Sequence, residues 1–439
     1  MNNRKQEEEH MNFLRDDYME IGNDFETFEK ELKTFSIENT RVKTVNMNEV
    51  YFLSVSDFGT ELVAVPLHAA NIWKKTKTAL SLKKYPIEKN LFEEKGYDPD
   101  VNTESIGNGL YMLFSKKKLS AAKLKEAIYN GDFIPVSEKA MSTISSRVNC
   151  FGNGLFSEHL IRDLAVAKKF DKEIPISVVL RKDSDTGLEK VFAVMSQKYT
   201  EIPQSLIIDL ISSITKTAEK DLGKTICAGW SISHSVTRYY MEFPEAGDEL
   251  KITYDIPYKM VPGVMIETSD IGDCSLRVRG YYRITDTNSI FYMEEEYAQM
   301  HIGEVSAEEM MKSVNSIIFP KFTFYPERLA KFMMIDIVTE EDSPATKKRV
   351  LSSLYRKVSR EIGLVKAIKK NKEKVIMEQL IEEINDDLSY TAYDVAMTFL
   401  TLPNQIETKN KALIDAVSKT VVNVFTYPFD EKEENLLVV

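Results

Sequence analysis

Four side chains on one stretch of the chain have the types and the spacing suited to binding an anion. They are Arg277, Arg279, Tyr281 and Arg283. On a β-strand, residues at every second position point to the same face, about 6.6 Å apart. Guanidinium groups pair with phosphates and an aromatic ring stacks on bases, a combination typical of proteins that bind single-stranded nucleic acid. The pattern predicts such a platform, and it leaves open that the arginines instead pair across the sheet with Glu249 and Asp255.

A basic run near the C-terminus could assist the same ligand. Residues 346–374 contain eleven Lys and Arg against two Glu. Apolar residues at helical spacing predict a helix here, with Pro344 near its start. The basic helix, Lys347 to Lys370, could bind an anion, or it could neutralise an acidic surface of this molecule or of a neighbouring subunit. The residues we expect to contribute are Arg356, Lys357, Arg360, Lys366, Lys369 and Lys370.

Other residues with chemical potential lack a supporting pattern. The five histidines are scattered without the spacing of a metal site, and we expect His234 to be buried with a hydrogen-bond partner. Asp270 and Asp273 could bind a metal ion, although Asp and Gly are also common in turns. The glycine phrases at 106–110 and 151–155 do not continue into a nucleotide-binding motif. An enzymatic activity is left open but unsupported, and we predict no cofactor and no bound metal.

Composition restricts the class of protein. The chain has 439 residues, 43% of them hydrophobic and 28% charged, and a net charge of -11. These values are typical of a globular protein with two or three domains and argue against a surface that is covered by nucleic acid. Three widely spaced cysteines exclude a disulfide framework. The first residues lack the apolar segment of a secretory signal and no stretch resembles a membrane helix, so we expect a cytoplasmic protein with no membrane partner.

The N-terminal segment has an amphipathic pattern. Residues 1–40 contain eleven Asp and Glu against five Lys and Arg, and we predict helices here, with Asp24 capping one of them. Their apolar seam is Leu14, Tyr18, Ile21, Phe25, Phe28, Leu32 and Phe35. This seam could form a short coiled coil between subunits or pack on the body of the protein itself. We expect a homo-oligomer.

The clearest β signal lies between residues 174 and 293. A hairpin is predicted at 176–182 and 190–196, followed by a helix after Pro203, and three alternating strands at 226–236, 250–258 and 276–284. The fold class is therefore α+β, with an antiparallel sheet core, packed helices and a helical C-terminal region. The predicted regions are the N-terminal helices at 1–40, a small α/β region at 41–170, the core domain at 171–343 and the C-terminal region at 344–439.

Three passages resemble a known group of proteins. They are Lys190–Tyr199, Ser269–Val278 and Thr391–Thr398. The sequence around them is similar to that of the domain-of-unknown-function family 932, whose members are encoded by phages and plasmids. The similarity covers about residues 174 to 425. The resemblance implies a mobile-element origin and gives no catalytic residues.

Together these observations predict a non-enzymatic phage or plasmid protein that binds single-stranded nucleic acid through the basic strand and helix. The alternative is a phage structural protein, or an inhibitor of host defence, that self-assembles or binds a host protein.

Overall fold

The structure is a computed structural model. It describes residues 13–16, 18–56, 61–66, 85–86, 108–117, 119–120, 122–123, 126–127, 130, 132–147, 175–184, 187–199, 202–248, 259–285, 289–300, 306–320, 322, 335–361, 389–391 and 394. The fold is α+β, as the sequence predicts, and it is built on an eight-stranded and a six-stranded sheet, with a small two-stranded sheet beside them.

The eight-stranded sheet is formed by the first half of the chain. Its strands are β2 (Thr40–Asn46), β3 (Val50–Ser56), β4 (Glu61–Pro66), β5 (Tyr85–Pro86), β6 (Asn108–Phe114), β7 (Ile134–Val136), β8 (Pro175–Lys182) and β9 (Glu189–Ser196), in the order β2-β8-β9-β7-β6-β3-β4-β5. Helix α2 (Glu138–Arg147) covers one face through Ala140, Met141 and Ile144. The predicted hairpin β8–β9 is confirmed, but it pairs with β2 and β7. It therefore belongs to the sheet of the preceding region and not to the predicted core domain.

The six-stranded sheet is antiparallel throughout. Its strands are β1 (Met19–Gly22), β10 (Ile226–Ser233), β11 (Thr237–Glu242), β12 (Met260–Thr268), β13 (Leu276–Ile284) and β14 (Ser289–Gln299), in chain order across the sheet. One face is apolar and is covered by the helices α1 (Phe25–Lys33), α3 (Gln204–Asp221) and α4 (Ala307–Ile317). Helix α3 alone buries six apolar side chains, each of which stabilises the fold by roughly 1.5–3 kcal/mol if fully buried.

The N-terminal segment differs from its prediction. Residues Met19–Gly22 are a strand on the edge of the six-stranded sheet, and Ile21 is exposed. The helix that follows is confirmed, and the Asp24 side chain caps it by accepting a hydrogen bond from the Thr27 N–H at 2.7 Å. Phe28 and Leu32 of this helix are buried in the protein's own core. Apart from Ile21, the seam thus packs on the body of the same chain.

The strand prediction for residues 226–236 is partly wrong. The structure turns at 233–236, so the predicted first strand ends at Ser233 as β10, and a second strand, β11, begins at Thr237. Residues 249–258 lie outside the described part, and the next strand is β12. The sequence analysis did not predict β12, whose nine residues are all buried and do not alternate between apolar and polar.

The C-terminal region is described only in part. Strand β15 (Asp336–Val338) pairs with β16 (Tyr390–Thr391), and helix α5 (Pro344–Glu361) confirms the predicted start at Pro344. The remainder of the predicted helical region, apart from Ser389 and Asp394, lies outside the described residues.

Candidate functional site

The second face of the six-stranded sheet is polar. Its side chains come from alternate positions of β11, β12, β13 and β14, opposite the apolar face. We call the following set the arginine face: Arg238, Tyr240, Glu242, Glu267, Arg277, Arg279, Tyr281, Arg283 and Tyr292. The predicted common face of Arg277, Arg279, Tyr281 and Arg283 is therefore confirmed by the register of β13. The strand signal alone was sufficient to place them together.

Arg283 is held by a buried carboxylate. Its Nε and Nη2 donate to the two carboxylate oxygens of Glu242, both at 2.6 Å. Glu242 is 1% exposed, whereas 26% of the Arg283 side chain is exposed. The hydrogen bond to Glu242 raises the pKa of Arg283, because a bidentate carboxylate stabilises the charged form. The guanidinium is thus fixed in one orientation at the sheet surface.

A second buried carboxylate lies between two arginines. Arg238 Nε donates to Glu267 Oε2 at 2.6 Å, and Arg277 Nη1 lies 3.9 Å from Glu267 Oε1. The Glu267 side chain is 7% exposed, compared with 25% for Arg238 and 33% for Arg277. Burial, the largest cause, acts to lower the pKa of Arg238, but the charge and hydrogen bond of Glu267, together with Tyr240 and Tyr292, outweigh it and the pKa is raised. The glutamate side chains of this face are therefore more deeply buried than the arginine side chains that they contact.

Tyr281 lies flat on the neighbouring strand. It is fully buried, and its hydroxyl is 3.2 Å from the Met241 carbonyl and 3.3 Å from Glu242 Oε1. The ring covers Gly263, where a Cβ would collide with it. Tyr281 therefore offers no ring face to a base, and this part of the predicted platform does not fit the structure. The partly exposed rings of the face are Tyr240 and Tyr292, whose edges meet Tyr281.

Arg279 lies beside one of these rings. Its guanidinium carbon is 5.7 Å from the centre of the Tyr292 ring, within the range of a cation–π contact. Its neighbour across the strands is Glu296, by the register of β13 and β14. Arg279 thus contacts an aromatic ring of the neighbouring strand, which the sequence analysis did not name.

The open alternative of cross-strand pairing is confirmed in kind among the described residues, and the pairing with Glu249 and Asp255 stays a prediction. Glu249 and Asp255 lie outside the described residues, and the observed partners are Glu242 and Glu267. Both are on strands that the prediction missed. Alternation of Tyr239, Met241 and Phe243 with polar residues would have revealed β11, and the apolar run of β12 is typical of a central strand.

The predicted basic helix is described only in part. Arg356, Lys357 and Arg360 lie in α5, and Lys366, Lys369 and Lys370 lie outside the described residues. Lys347, at the start of the run, is buried, while Lys348 and Arg349 are exposed. The contribution of this helix to a binding site stays a prediction.

The metal interpretation of Asp270 and Asp273 is not supported, because both carboxylates contact cations of the protein. Both oxygens of Asp270 accept from Arg181 Nη2 at 2.7 Å, and Asp273 pairs with Lys139. Within the described part of the chain, no group of three His, Cys, Asp or Glu side chains is placed to hold a metal ion. His234 is buried and contacts the Phe13 carbonyl, as predicted.

No family model, curated protein or solved structure matches the chain. The resemblance to family 932 therefore stays a prediction. Among the helices of the described residues, none has the length and apolarity needed to cross a membrane.

Proposed function

We propose that the protein is a non-enzymatic binding protein and that the arginine face binds the phosphates of a single-stranded nucleic acid. The carrying observation is the difference in exposure between the arginines and the glutamates of this face. The side chains of Arg238, Arg277 and Arg283 are 25–33% exposed, and the side chains of the glutamates that they contact are 2–7% exposed. A ligand that approaches the sheet therefore reaches the arginine side chains before the glutamates.

The buried glutamates also lower the cost of binding. An arginine on a free surface loses rotamer freedom when it grips a phosphate, at a cost of about 0.5–1.5 kcal/mol for each side chain. Arg283 and Arg238 are already fixed by bonds of 2.6 Å to Glu242 and Glu267. Their orientation is therefore set before the ligand arrives.

The rings that we propose to stack on bases differ from Tyr281, the ring that the sequence predicts. Because Tyr281 is buried, we propose Tyr240 and Tyr292 as the stacking rings, with Arg279 beside Tyr292. Base–aromatic stacking contributes about 1–3 kcal/mol per base and tolerates any sequence. The expected ligand is thus single-stranded, and the contacts favour no particular base. The phage or plasmid origin is a part of this proposal that rests on the sequence resemblance alone.

Fluorescence anisotropy with a labelled single-stranded oligonucleotide tests the proposal. We expect binding that weakens steeply with salt, and a log–log slope that falls by about 1.4 in the double variant Arg277→Ala/Arg279→Ala, since each lost phosphate contact removes about 0.7. The matched control is Arg41→Ala, which removes an exposed arginine that is also paired with a glutamate but lies on the other sheet. No binding at low salt, or equal affinity of both variants, would refute the assignment.

A second candidate function is binding to an acidic surface, either of another protein or of a second copy of this chain. The strands that form the arginine face contain no lysine, and the face is rich in arginine and tyrosine. Arg and Tyr are enriched in the centres of protein interfaces and Lys is depleted there. A complex or homo-oligomer that persists at high salt without nucleic acid, and that Tyr292→Ala disrupts, would favour this candidate. Mass measurement by light scattering distinguishes the two.

A further inference from the structure

Three basic side chains are buried at the junction of the two sheets. Arg181 of β8 and Lys190 of β9 have no exposed surface, and His234, in the turn between β10 and β11, is 2% exposed. They lie on the side of β8 and β9 that faces away from α2, close to the small apolar cluster of Leu14, Phe192 and Ile271. Buried cations require compensating groups, since an isolated charge in a protein interior is strongly unfavourable.

Residues 13–16, which we call the strap, supply much of this compensation. The Phe13 carbonyl lies 2.5 Å from His234 Nε2, and the Leu14 carbonyl accepts from Lys190 Nζ at 3.0 Å. Asp16 pairs with Lys190 at 2.8 Å. Its other oxygen accepts from the Glu138 N–H, at the first residue of α2, at 3.0 Å. The strap thus ties His234 of one sheet to Lys190 and α2 of the other.

The contact between Phe13 and His234 fixes the tautomer of the neutral imidazole. A carbonyl can only accept, so Nε2 carries the proton, and in the neutral ring Nδ1 holds a lone pair. Among the described residues Nδ1 has no hydrogen-bond partner. A proton added at Nδ1 would create a second N–H donor that no described acceptor satisfies.

The surroundings of His234 are unfavourable for a cation. The charged groups near it are Arg181 and Lys190, and the titratable ring of Tyr18 lies 5.5 Å away between ring centres. The carboxylates of Asp270 and Asp16 are bonded to Arg181 and Lys190. The remaining neighbours are the aromatic rings of Phe13, Phe35 and Phe192. Burial, and then the charge of Arg181, hold the pKa of His234 well below its ordinary value.

We propose that the strap is an acid-released latch, which holds the two sheets together while His234 is neutral and detaches when this side chain takes up a proton. Detachment exposes the imidazolium to water and separates it from Arg181 and Lys190. The detached state therefore titrates near the ordinary pKa of histidine, about 6.5. Below that value its population rises about tenfold for each pH unit. This inference is independent of the ligand of the arginine face.

Hydrogen exchange of the full chain, measured by mass spectrometry, tests the latch. Each exchange rate is divided by the intrinsic rate at the same pH. Two amides report on the strap, because the Tyr18 N–H donates to the Arg15 carbonyl and the Glu138 N–H donates to the Asp16 carboxylate. Between about pH 7.5 and about pH 5.5 we expect their protection to fall about tenfold, while that of the Val178 and Val194 amides in β8 and β9 is unchanged. Equal protection of the strap at the two pH values would overturn the proposal.

Two variants separate His234 from the other groups. His234→Gln keeps an N–H donor for the Phe13 carbonyl and cannot be protonated, so its strap should be equally protected at both pH values. Asp16→Asn weakens the strap through Lys190 but leaves His234 in place, so the tenfold acid response should persist on a lower baseline. Two results would contradict the role of His234. One is a fall in protection at low pH in His234→Gln that equals that of the wild type, and the other is the absence of this fall in Asp16→Asn.

Discussion

The ion pair between Arg181 and Asp270 should be much more important for stability than its geometry suggests. We consider Asp270→Ala. The Arg181 side chain is 0% exposed, and Asp270 provides its only carboxylate contact among the described residues, at 2.7 Å. What remains after the change is the Thr40 hydroxyl and the Phe35 ring, whose centre is 4.4 Å from the guanidinium carbon. Arg181 Nε has no hydrogen-bond partner within the described structure.

The magnitude follows from burial. Removal of one partner of a buried ion pair costs about 3–5 kcal/mol, because the other charge stays buried without compensation. The Asp270 side chain is 25% exposed, so water can enter the space left by the carboxylate. We therefore expect a loss of about 3 kcal/mol in the free energy of unfolding, measured by urea denaturation.

An exposed pair on the same sheet provides the matched control. Arg41 and Glu189 are closer, at 2.6 Å, but 54% of the Arg41 side chain is exposed. Glu189→Ala should cost only about 0.2–1 kcal/mol, since water and salt screen exposed pairs. Distance alone would rank the two pairs in the opposite order.

The double variant Arg181→Met/Asp270→Ala isolates the buried charge. Met has a similar length without the charge, so the double variant should be more stable than Asp270→Ala alone. If Asp270→Ala costs no more than Glu189→Ala, or if the double variant is less stable than Asp270→Ala, then burial of the Arg181 charge does not determine the stability of this junction.

Two substitutions and one pH titration test the packing of the arginine face. Gly263→Ala should lower the free energy of unfolding by about 1–3 kcal/mol, measured by urea denaturation, because the new Cβ would lie 2.6 Å from the Met241 carbonyl and collide with the Tyr281 ring. A variant as stable as the wild type would contradict this packing. Tyr281→Phe should cost only about 0.5–1.5 kcal/mol by the same measurement, since it removes one hydroxyl with contacts of 3.2 and 3.3 Å. A larger loss would indicate a stronger hydrogen bond to Glu242. Burial raises the pKa values of Tyr281 and Tyr292, so the unfolded state loses these protons at a lower pH than the folded state. Their contribution to the free energy of unfolding is fully present below about pH 10 and should fall as the pH rises above it. Tyrosinate absorbance that appears in the folded protein near pH 10 for all tyrosines would refute this.

Local patterns predicted several elements because their physical cause is local. The alternation of β13 requires only that one face be buried, and the cap at Asp24 requires only a carboxylate three residues before a free N–H. The same reasoning failed at Met19–Gly22, where an apolar spacing typical of a helix is a strand. These four residues pair with β10, more than two hundred positions away, and no local pattern contains that partner.

The sequence by itself determined the α+β class, the hairpin β8–β9, and the common face of Arg277, Arg279, Tyr281 and Arg283. Only the tertiary structure decided which charged side chains of this face are partly exposed and which are buried. Glu242 and Glu267 reach the arginines across neighbouring strands, and Tyr281 is covered because Gly263 leaves space for its ring. Burial and pairing depend on strands that are distant in sequence, and a periodic pattern carries information about one strand at a time.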